Sequence, residues 1–281
     1  VIFVGAREQH DAVQSLLPQS RVLRRVVVFD DEAAAGGGPQ VIAFSALLEL
    51  GRSRDHDAEI AARMSRATAD DMLTLIYTSG TTGEPKGVML THANLLATAP
   101  LHDERLLDTG PDDVSLCFLP LSHVFERTWT FYALCCGMTI CYCDDPTKVV
   151  EFLQYWRPTI MCAVPRFYEM IYAAVMSRLE SAPALRRRLF HWAIGVGRRY
   201  GNLAKDRAPV PLGLRLRHAV ADRLVLAKLR AVVGGRIKFF PCAGAPLAPE
   251  IEEFFYAAGV FICYGYGLTE TTATVTCHER Y

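Results

Sequence analysis

Ten residues, Thr78 to Gly87, read TSGTTGEPKG and hold three glycines, four hydroxyl side chains and one lysine, directly after the apolar run Leu73 to Tyr77. Glycines let backbone N–H groups converge on an anion, while hydroxyls and a lysine add donors and charge. The chemistry indicated is binding of phosphate, and so of a nucleotide. The common NTPase loop places Ser or Thr after its lysine to hold magnesium. Here Gly87 follows Lys86, and Pro85 removes one backbone donor from the loop. A different nucleotide-binding solution is implied, with a polar surface loop between a strand and a helix as the competing reading of the string taken alone.

Three further stretches each end an expected strand with small, backbone-exposing residues: LPLSHVFE (Leu119 to Glu126), CAGAPLAPE (Cys242 to Glu250) and GYGLTETTA (Gly265 to Ala273). AGAP offers a flat backbone surface for an aromatic base, and Tyr266, between two glycines, offers a ring for the opposite face. Thr269 supplies a hydroxyl and Glu270 a hard oxygen ligand suited to magnesium bound to phosphate. Each also has a plainer reading. His123 alone fits a structural histidine, Glu270 a helix cap, and Tyr266 a core or turn aromatic. No Ser-His-Asp arrangement competes with these stretches.

The elements that must position these loops are short β-branched or apolar runs alternating with helical patterns. Strands are expected at Val1–Val4, Val26–Phe29, Leu73–Thr78, Val114–Leu119, Met138–Cys143, Thr159–Val164, Ile237–Cys242 and Val260–Tyr264. Helical periodicity covers His92–Ala99, Lys148–Trp156, Arg166–Leu179 and Pro249–Ala258. The alternation predicts an α/β fold with mostly parallel sheets and helices on both faces, its ligands at the carboxyl ends of the strands. Asp31 to Gln40 reads as a flexible acidic, Gly-rich loop, and Gly51 to Arg66 as a charged connector.

The 281 residues suffice for one large domain or two small ones. Lysine plus arginine equal aspartate plus glutamate at 30 each, so the balance gives no indication of a nucleic-acid partner. Nine cysteines in mostly apolar surroundings, without zinc-type spacing, read as buried reduced thiols and a cytoplasmic setting. No apolar run reaches the length of a membrane span. The segment 178–236 concentrates arginines, including Arg186 to Arg188 and Arg198-Arg199. It is a candidate for peripheral contact with a membrane surface or an anionic ligand, although a solvated helix face is the commoner outcome of such a run.

YTSGTTGEPKG and GYGLTE, in this order and separation, resemble the signature motifs of the adenylate-forming superfamily of acyl-CoA synthetases, luciferases and peptide-synthetase adenylation domains. LPLSHVFER and AGAPLAPEI, followed by GYGLTETTATVT, are most similar to its long-chain fatty acid branch. The resemblance implies ATP-dependent activation of a fatty acid to an acyl-adenylate with release of pyrophosphate, followed by thioester formation with coenzyme A. It assigns the β- and γ-phosphates to Thr78, Ser79, Gly80, Thr81, Thr82, Gly83 and Lys86, with Thr81 near the metal. Gly244, Ala245, Pro246 and Tyr266 would frame the adenine, with Gly267 in the same cofactor-binding set. Thr269 would contact the α-phosphate side, Glu270 would hold Mg2+, and His123 would sit beside the bound carboxylate.

The chemistry agrees with these roles, since attack of a carboxylate on the α-phosphorus needs charge neutralisation and oriented donors more than a protein nucleophile. Tyr264 departs from the pattern where a polar amide or acid is common, and Cys242-Ala243 replaces the usual Ser or Gly pair. Relatives of this kind also carry a further N-terminal segment and a small C-terminal domain with a lysine used in adenylation. Residues 1–281 are therefore expected to be part of a large AMP-binding domain and inactive, or nearly so, alone. Transfer to a carrier protein and a non-catalytic nucleotide-binding role are the alternatives these motifs leave open.

Overall fold

The computed structural model describes residues 1–79, 83–106 and 108–278. It divides into two compact units, Val1–Thr68 and Ala69–Tyr281. The first holds β1 (Ile2–Val4), α1 (Arg7–Leu16), β2 (Val26–Val28), α2 (Asp31–Ala34), β3 (Val41–Ala43), α3 (Phe44–Arg52) and α4 (Asp57–Arg66). Its three strands are parallel in the order β1-β2-β3. All three residues of β2 are buried, as a central parallel strand requires.

Two expectations are corrected in this unit. The stretch from Asp31 begins as a helix, because the Asp30 carboxylate accepts the N–H groups of Glu32 and Ala33 and so caps α2. The charged connector contains α4, none of whose residues is buried. Its acids at the first turn and arginines at the last complement the helix dipole.

The second unit opens with β4 (Met72–Thr78) and β5 (Lys86–Thr91), an antiparallel hairpin in which Thr78 pairs with Lys86. The Gly-rich loop thus joins two strands, and the competing reading of a surface loop between a strand and a helix does not describe it. There follow α5 (His92–Arg105), β6 (Val114–Cys117), α6 (Val124–Cys135), β7 (Thr139–Tyr142), α7 (Val149–Trp156), α8 (Pro165–Glu180) and α9 (Ala184–Lys205). The chain continues through α10 (Leu212–Ala221), a π-helical turn at Asp222–Leu226, α11 (Ala227–Val232), β8 (Phe240–Cys242), α12 (Pro249–Ala257), β9 (Ile262–Tyr266) and β10 (Thr276–Cys277).

Strands β6 and β7 are parallel, as are β8 and β9, while β10 adds to β9 antiparallel. Between β6 and β8 runs the stretch expected as a strand at Thr159–Val164. It bridges both neighbours in parallel at Ile160 and pairs Ala163 with Cys242, without forming a continuous ladder. Proline explains the gap: Pro241 of β8 accepts the Ala163 N–H at 3.0 Å but has no N–H to return.

The period-2 alternation of these strands sorts their side chains onto two cores. Met161, Ala163, Phe240 and Cys242 pack with Leu153, Phe167, Tyr168, Phe254 and Phe255 from α7, α8 and α12. Ile160, Cys162, Phe239 and Cys263 pack on the other face with Trp129, Tyr132 and Ala133 from α6. Helices therefore cover both faces, as the apolar strand runs imply. Beside the start of β6, the buried Asp113 is 2% exposed and accepts from Lys238 Nζ at 2.8 Å, Thr159 Oγ1 at 2.6 Å and Gly110 N at 3.0 Å. In the arginine-rich segment, Arg187 donates to the Ala182 carbonyl and Arg198 pairs with Glu253 at 3.5 Å. Among the described residues, no helix is long and apolar enough to cross a membrane.

Candidate active site

The carboxyl ends of β4, β6, β8 and β9 open on a cavity of about 840 Å³. β6, β8 and β9 each contribute the loop that follows them, as parallel α/β topology demands, and β4, antiparallel to β5, contributes its end. Thr78 and Ser79 come from the end of β4, His123 from the loop after β6, Gly244, Ala245 and Pro246 from the loop after β8, and Tyr266, Gly267, Thr269 and Glu270 from the end of β9. These ten residues, spread over nearly 200 positions of sequence, share one wall. Gly83 and Lys86 belong to the hairpin but do not line the cavity; Lys86 is exposed at the first position of β5. Gly80, Thr81 and Thr82 lie outside the described residues.

Local chemistry holds each loop in place. Gly244 has φ +100°, a conformation that L side chains rarely adopt. The Tyr264 hydroxyl donates to the Ala245 carbonyl, so the tyrosine that departs from the family pattern ties β9 to the loop after β8. At Gly267, an added Cβ would lie 1.1 Å from the Ala273 carbonyl oxygen, because the chain folds back here through a short 3-10 turn at Thr269–Thr271. Thr272 and Ala273 complete that turn with φ of 56° and 76°. Left-handed backbone at two non-glycine residues is strain of the kind that collects at functional loops. His102 of α5 braces the same segment through Nε2 to Thr274 Oγ1 at 3.1 Å, and burial lowers its pKa against the opposing charge of Asp103.

The LPLSHVFE stretch turns into α6 with His123 as the residue before the helix. The His123 N–H donates to the Pro120 carbonyl at 3.0 Å. Arg127 ties the turn down by donating Nε to the Leu121 carbonyl at 2.6 Å and Nη1 to the Thr74 hydroxyl of β4. His123 is exposed at the cavity, whereas Glu126, one turn further, is fully buried. Burial pushes the Glu126 carboxyl up to about 8; the Cys117 thiol and the Leu119 backbone pull it down less, and neither oxygen has a partner of hydrogen-bond geometry among the described residues. Cys117 in turn is pushed up to about 12, first by burial and then by Glu126.

Glu126 was not a candidate from sequence, and neither were His102, Trp129, Arg166 or Glu169, all of which line the cavity. Arg166 and Glu169, at the start of α8, form an ion pair at 3.5 Å. The one signal for Glu126 was its place at the end of the LPLSHVFE stretch. All five lie on helices, and the approach of those helices to the cavity is a product of packing. Glu270 is exposed and Thr269 half-buried. Among the described residues, no group of three His, Cys, Asp or Glu side chains is placed to hold a metal ion.

A family model described as AMP-binding enzyme matches residues 1–281. The chain is 34% identical over 241 residues to the peroxisomal long chain acyl-CoA synthetase 6 of Arabidopsis thaliana, covering 85% of this chain and 32% of that protein. It is 38% identical over 240 residues to the long-chain-fatty-acid–CoA ligase FadD15 of Mycobacterium bovis, covering 84% of this chain and 39% of that one. The chain thus spans roughly a third of the length of these curated relatives. Among solved structures, the A-PCP didomain of a carboxylic acid reductase from Segniliparus rugosus, in complex with AMP, superposes with a TM-score of 0.63 at 25% identity, over 94% of this chain and 35% of that one. The N-terminal domain of FACL13 from Mycobacterium tuberculosis shares the fold at a TM-score of 0.56 and 21% identity, over 94% of this chain and 55% of that one.

Proposed function

Because the chain belongs to the AMP-binding enzyme family, we propose that it binds ATP in the cavity and, within a longer ligase, activates a long-chain fatty acid as its acyl-adenylate for transfer to coenzyme A. The observation that carries this reading is the convergence of Thr78, Ser79, His123, Gly244 to Pro246, Tyr266, Gly267, Thr269 and Glu270 on one cavity. A nucleotide base fits between the flat backbone of Gly244 to Pro246 and the exposed ring of Tyr266. The triphosphate then runs past Thr269 toward Thr78 and Ser79. Lys86 serves the outer phosphates from across the hairpin, on a flexible four-carbon stem.

Adenylation forms a bond between a carboxylate oxygen of the acid and the α-phosphorus, and breaks the bond from that phosphorus to the oxygen bridging to the β-phosphate. Pyrophosphate leaves with the electron pair. The protein's task is to align the two anions and offset their repulsion. Glu270 and Thr81 would hold magnesium, which when bound neutralises phosphate charge. The Thr269 hydroxyl donates toward the α-phosphate, and His123 lies beside the acid. The acyl chain extends along Leu106, Leu119, Phe125 and Trp129, an apolar stretch of the wall.

Release of pyrophosphate, measured with saturated acids from short to long in the protein extended to the length of its relatives, tests the reading. Turnover that rises with chain length and collapses in Glu270→Gln supports it, and ATP binding without turnover on any acid would reduce the chain to a nucleotide-binding module. Preference for a carrier-protein thiol over coenzyme A in the same assay would change the acceptor alone. Peripheral contact of α9 with anionic membranes is a separate part of the proposal, motivated by Arg186, Arg188 and Arg199. It fails if the protein ignores anionic liposomes at low salt.

A further inference from the structure

The turn that carries Thr269 and Glu270 is tied mainly to itself. The Leu268 N–H donates to the Thr271 hydroxyl at 2.9 Å, and the N–H groups of Thr271, Thr272, Ala273 and Thr274 donate to the carbonyls of Leu268, Thr269, Leu268 and Thr272 in turn. Among the described residues, one hydrogen bond of Leu268 to Thr274 leaves the segment. It joins the Thr274 hydroxyl to His102 Nε2 at 3.1 Å, across 172 positions of sequence. Thr272 and Ala273 hold left-handed backbone, and a strained segment persists only where its surroundings fix it.

His102 comes from α5, which leaves the Gly-rich hairpin directly. β5 ends at Thr91, and Thr91 caps the helix: its hydroxyl accepts the Asn94 N–H at 3.3 Å while its own N–H donates to Asn94 Oδ1 at 2.8 Å. One helix thus runs from the hairpin to the contact with Thr274, and His102 and Thr274 both line the cavity. The imidazole is held in its aim. It is 7% exposed and meets the edge of Tyr132 at 5.1 Å and 65°, while the Tyr132 hydroxyl donates to the carboxylate of the adjacent Asp103 at 2.8 Å. Burial lowers the His102 pKa against the pull of Asp103. The ring is therefore neutral and acts by geometry, in a place where little water competes for its hydrogen bond.

We propose that His102 is a positioning residue for the nucleotide: through Thr274 it fixes the spacing between the turn carrying Thr269 and Glu270 and the hairpin carrying Thr78, Ser79 and Lys86. The inference rests on the reading of the cavity as a nucleotide site. A triphosphate with its cation must meet both segments at once, so their spacing decides whether the donors of one are in reach when the other is engaged. His102 acts on the turn and not on the nucleotide. Adenosine, with no phosphates to place, does not depend on that spacing.

The test is calorimetric titration with MgATP and with adenosine in the wild type, His102→Leu, Thr274→Val, Thr274→Ser and the double variant of His102→Leu with Thr274→Val. MgATP affinity is expected to fall roughly five- to tenfold in His102→Leu and in Thr274→Val, and adenosine affinity by less than about twofold. The double variant should bind MgATP no more weakly than either single one, because each removes the same bond. Serine keeps the hydroxyl, so Thr274→Ser should bind MgATP as the wild type does. Equal losses for adenosine and MgATP, losses that add in the double variant, or a Thr274→Ser as weak as Thr274→Val overturns the proposal. Thr274→Val exchanges a half-buried hydroxyl for a methyl of like shape, so it decides the matter even if His102→Leu does not fold. Wild-type binding of MgATP that Thr274→Val leaves unchanged sinks this inference and leaves the nucleotide site standing; no wild-type binding of either compound removes both.

Discussion

Replacing Glu126 by glutamine isolates the energetic cost of its burial from any question of ligand. In the folded protein the carboxyl titrates at about 8, against an ordinary value of 4.5. Between those values the native state holds a proton that the unfolded chain has lost. Stability from this group is therefore complete below the ordinary value and declines as pH rises, by about 1.4 kcal/mol per pH unit, until the native carboxyl itself ionises. Over the whole interval the loss is on the order of 5 kcal/mol, a large share of the stability of a domain. Glutamine has no proton to lose. The stability of Glu126→Gln relative to wild type should therefore climb by about 1.4 kcal/mol per pH unit from about pH 5 to about pH 8. Urea unfolding followed by tryptophan fluorescence reads this directly, because Trp129, Trp156 and Trp192 all lie in the second unit and Trp129 shares α6 with Glu126. A difference between the two proteins that stays constant within about 1 kcal/mol across that range would refute the burial argument.

Three further outcomes follow from the geometry. Gly267→Ala sets a Cβ against the Ala273 carbonyl oxygen and must displace the turn carrying Thr269 and Glu270; ATP affinity should drop roughly tenfold or more with unchanged circular dichroism, and retained affinity would detach this turn from the nucleotide. Lys238→Met strips the buried Asp113 carboxylate of its cation; the urea midpoint should fall by the equivalent of about 3 kcal/mol, and an unmoved midpoint would mean that Thr159 and Gly110 suffice. Iodoacetamide at about pH 8 should label the exposed Cys135 well before Cys117, Cys162 and Cys242, whose thiols are buried and raised; peptide mass spectrometry showing the reverse order would contradict their burial.

Much of the second unit was legible because its strands are short apolar or β-branched runs between helical patterns. β4, β6, β7 and β9 lie within two residues of their expected bounds, and α7, α8 and α12 within one. The antiparallel partner of β4 was not legible, since Lys86–Thr91 mixes charge, glycine and β-branched residues and becomes a strand only by pairing across the hairpin. α4 escaped because the charges of the Gly51 to Arg66 stretch were read as a connector, although Ile60 and Met64 stand one helical turn apart.

By itself, the sequence determined which residue types gather at strand ends, and hence that phosphate binding is to be expected of TSGTTGEPKG and GYGLTE, because donor inventory and backbone freedom are properties of residues. It also determined the parallel α/β alternation, because side-chain period follows from local backbone geometry. Only the tertiary structure decided that four separate loops close on one cavity, that Tyr264 reaches the Ala245 carbonyl, and that Glu126 loses its water while His123 keeps its exposure. Burial and the pKa it imposes depend on what other elements pack nearby. For a first-turn glutamate, that is a matter of three-dimensional neighbours rather than of its place in the chain.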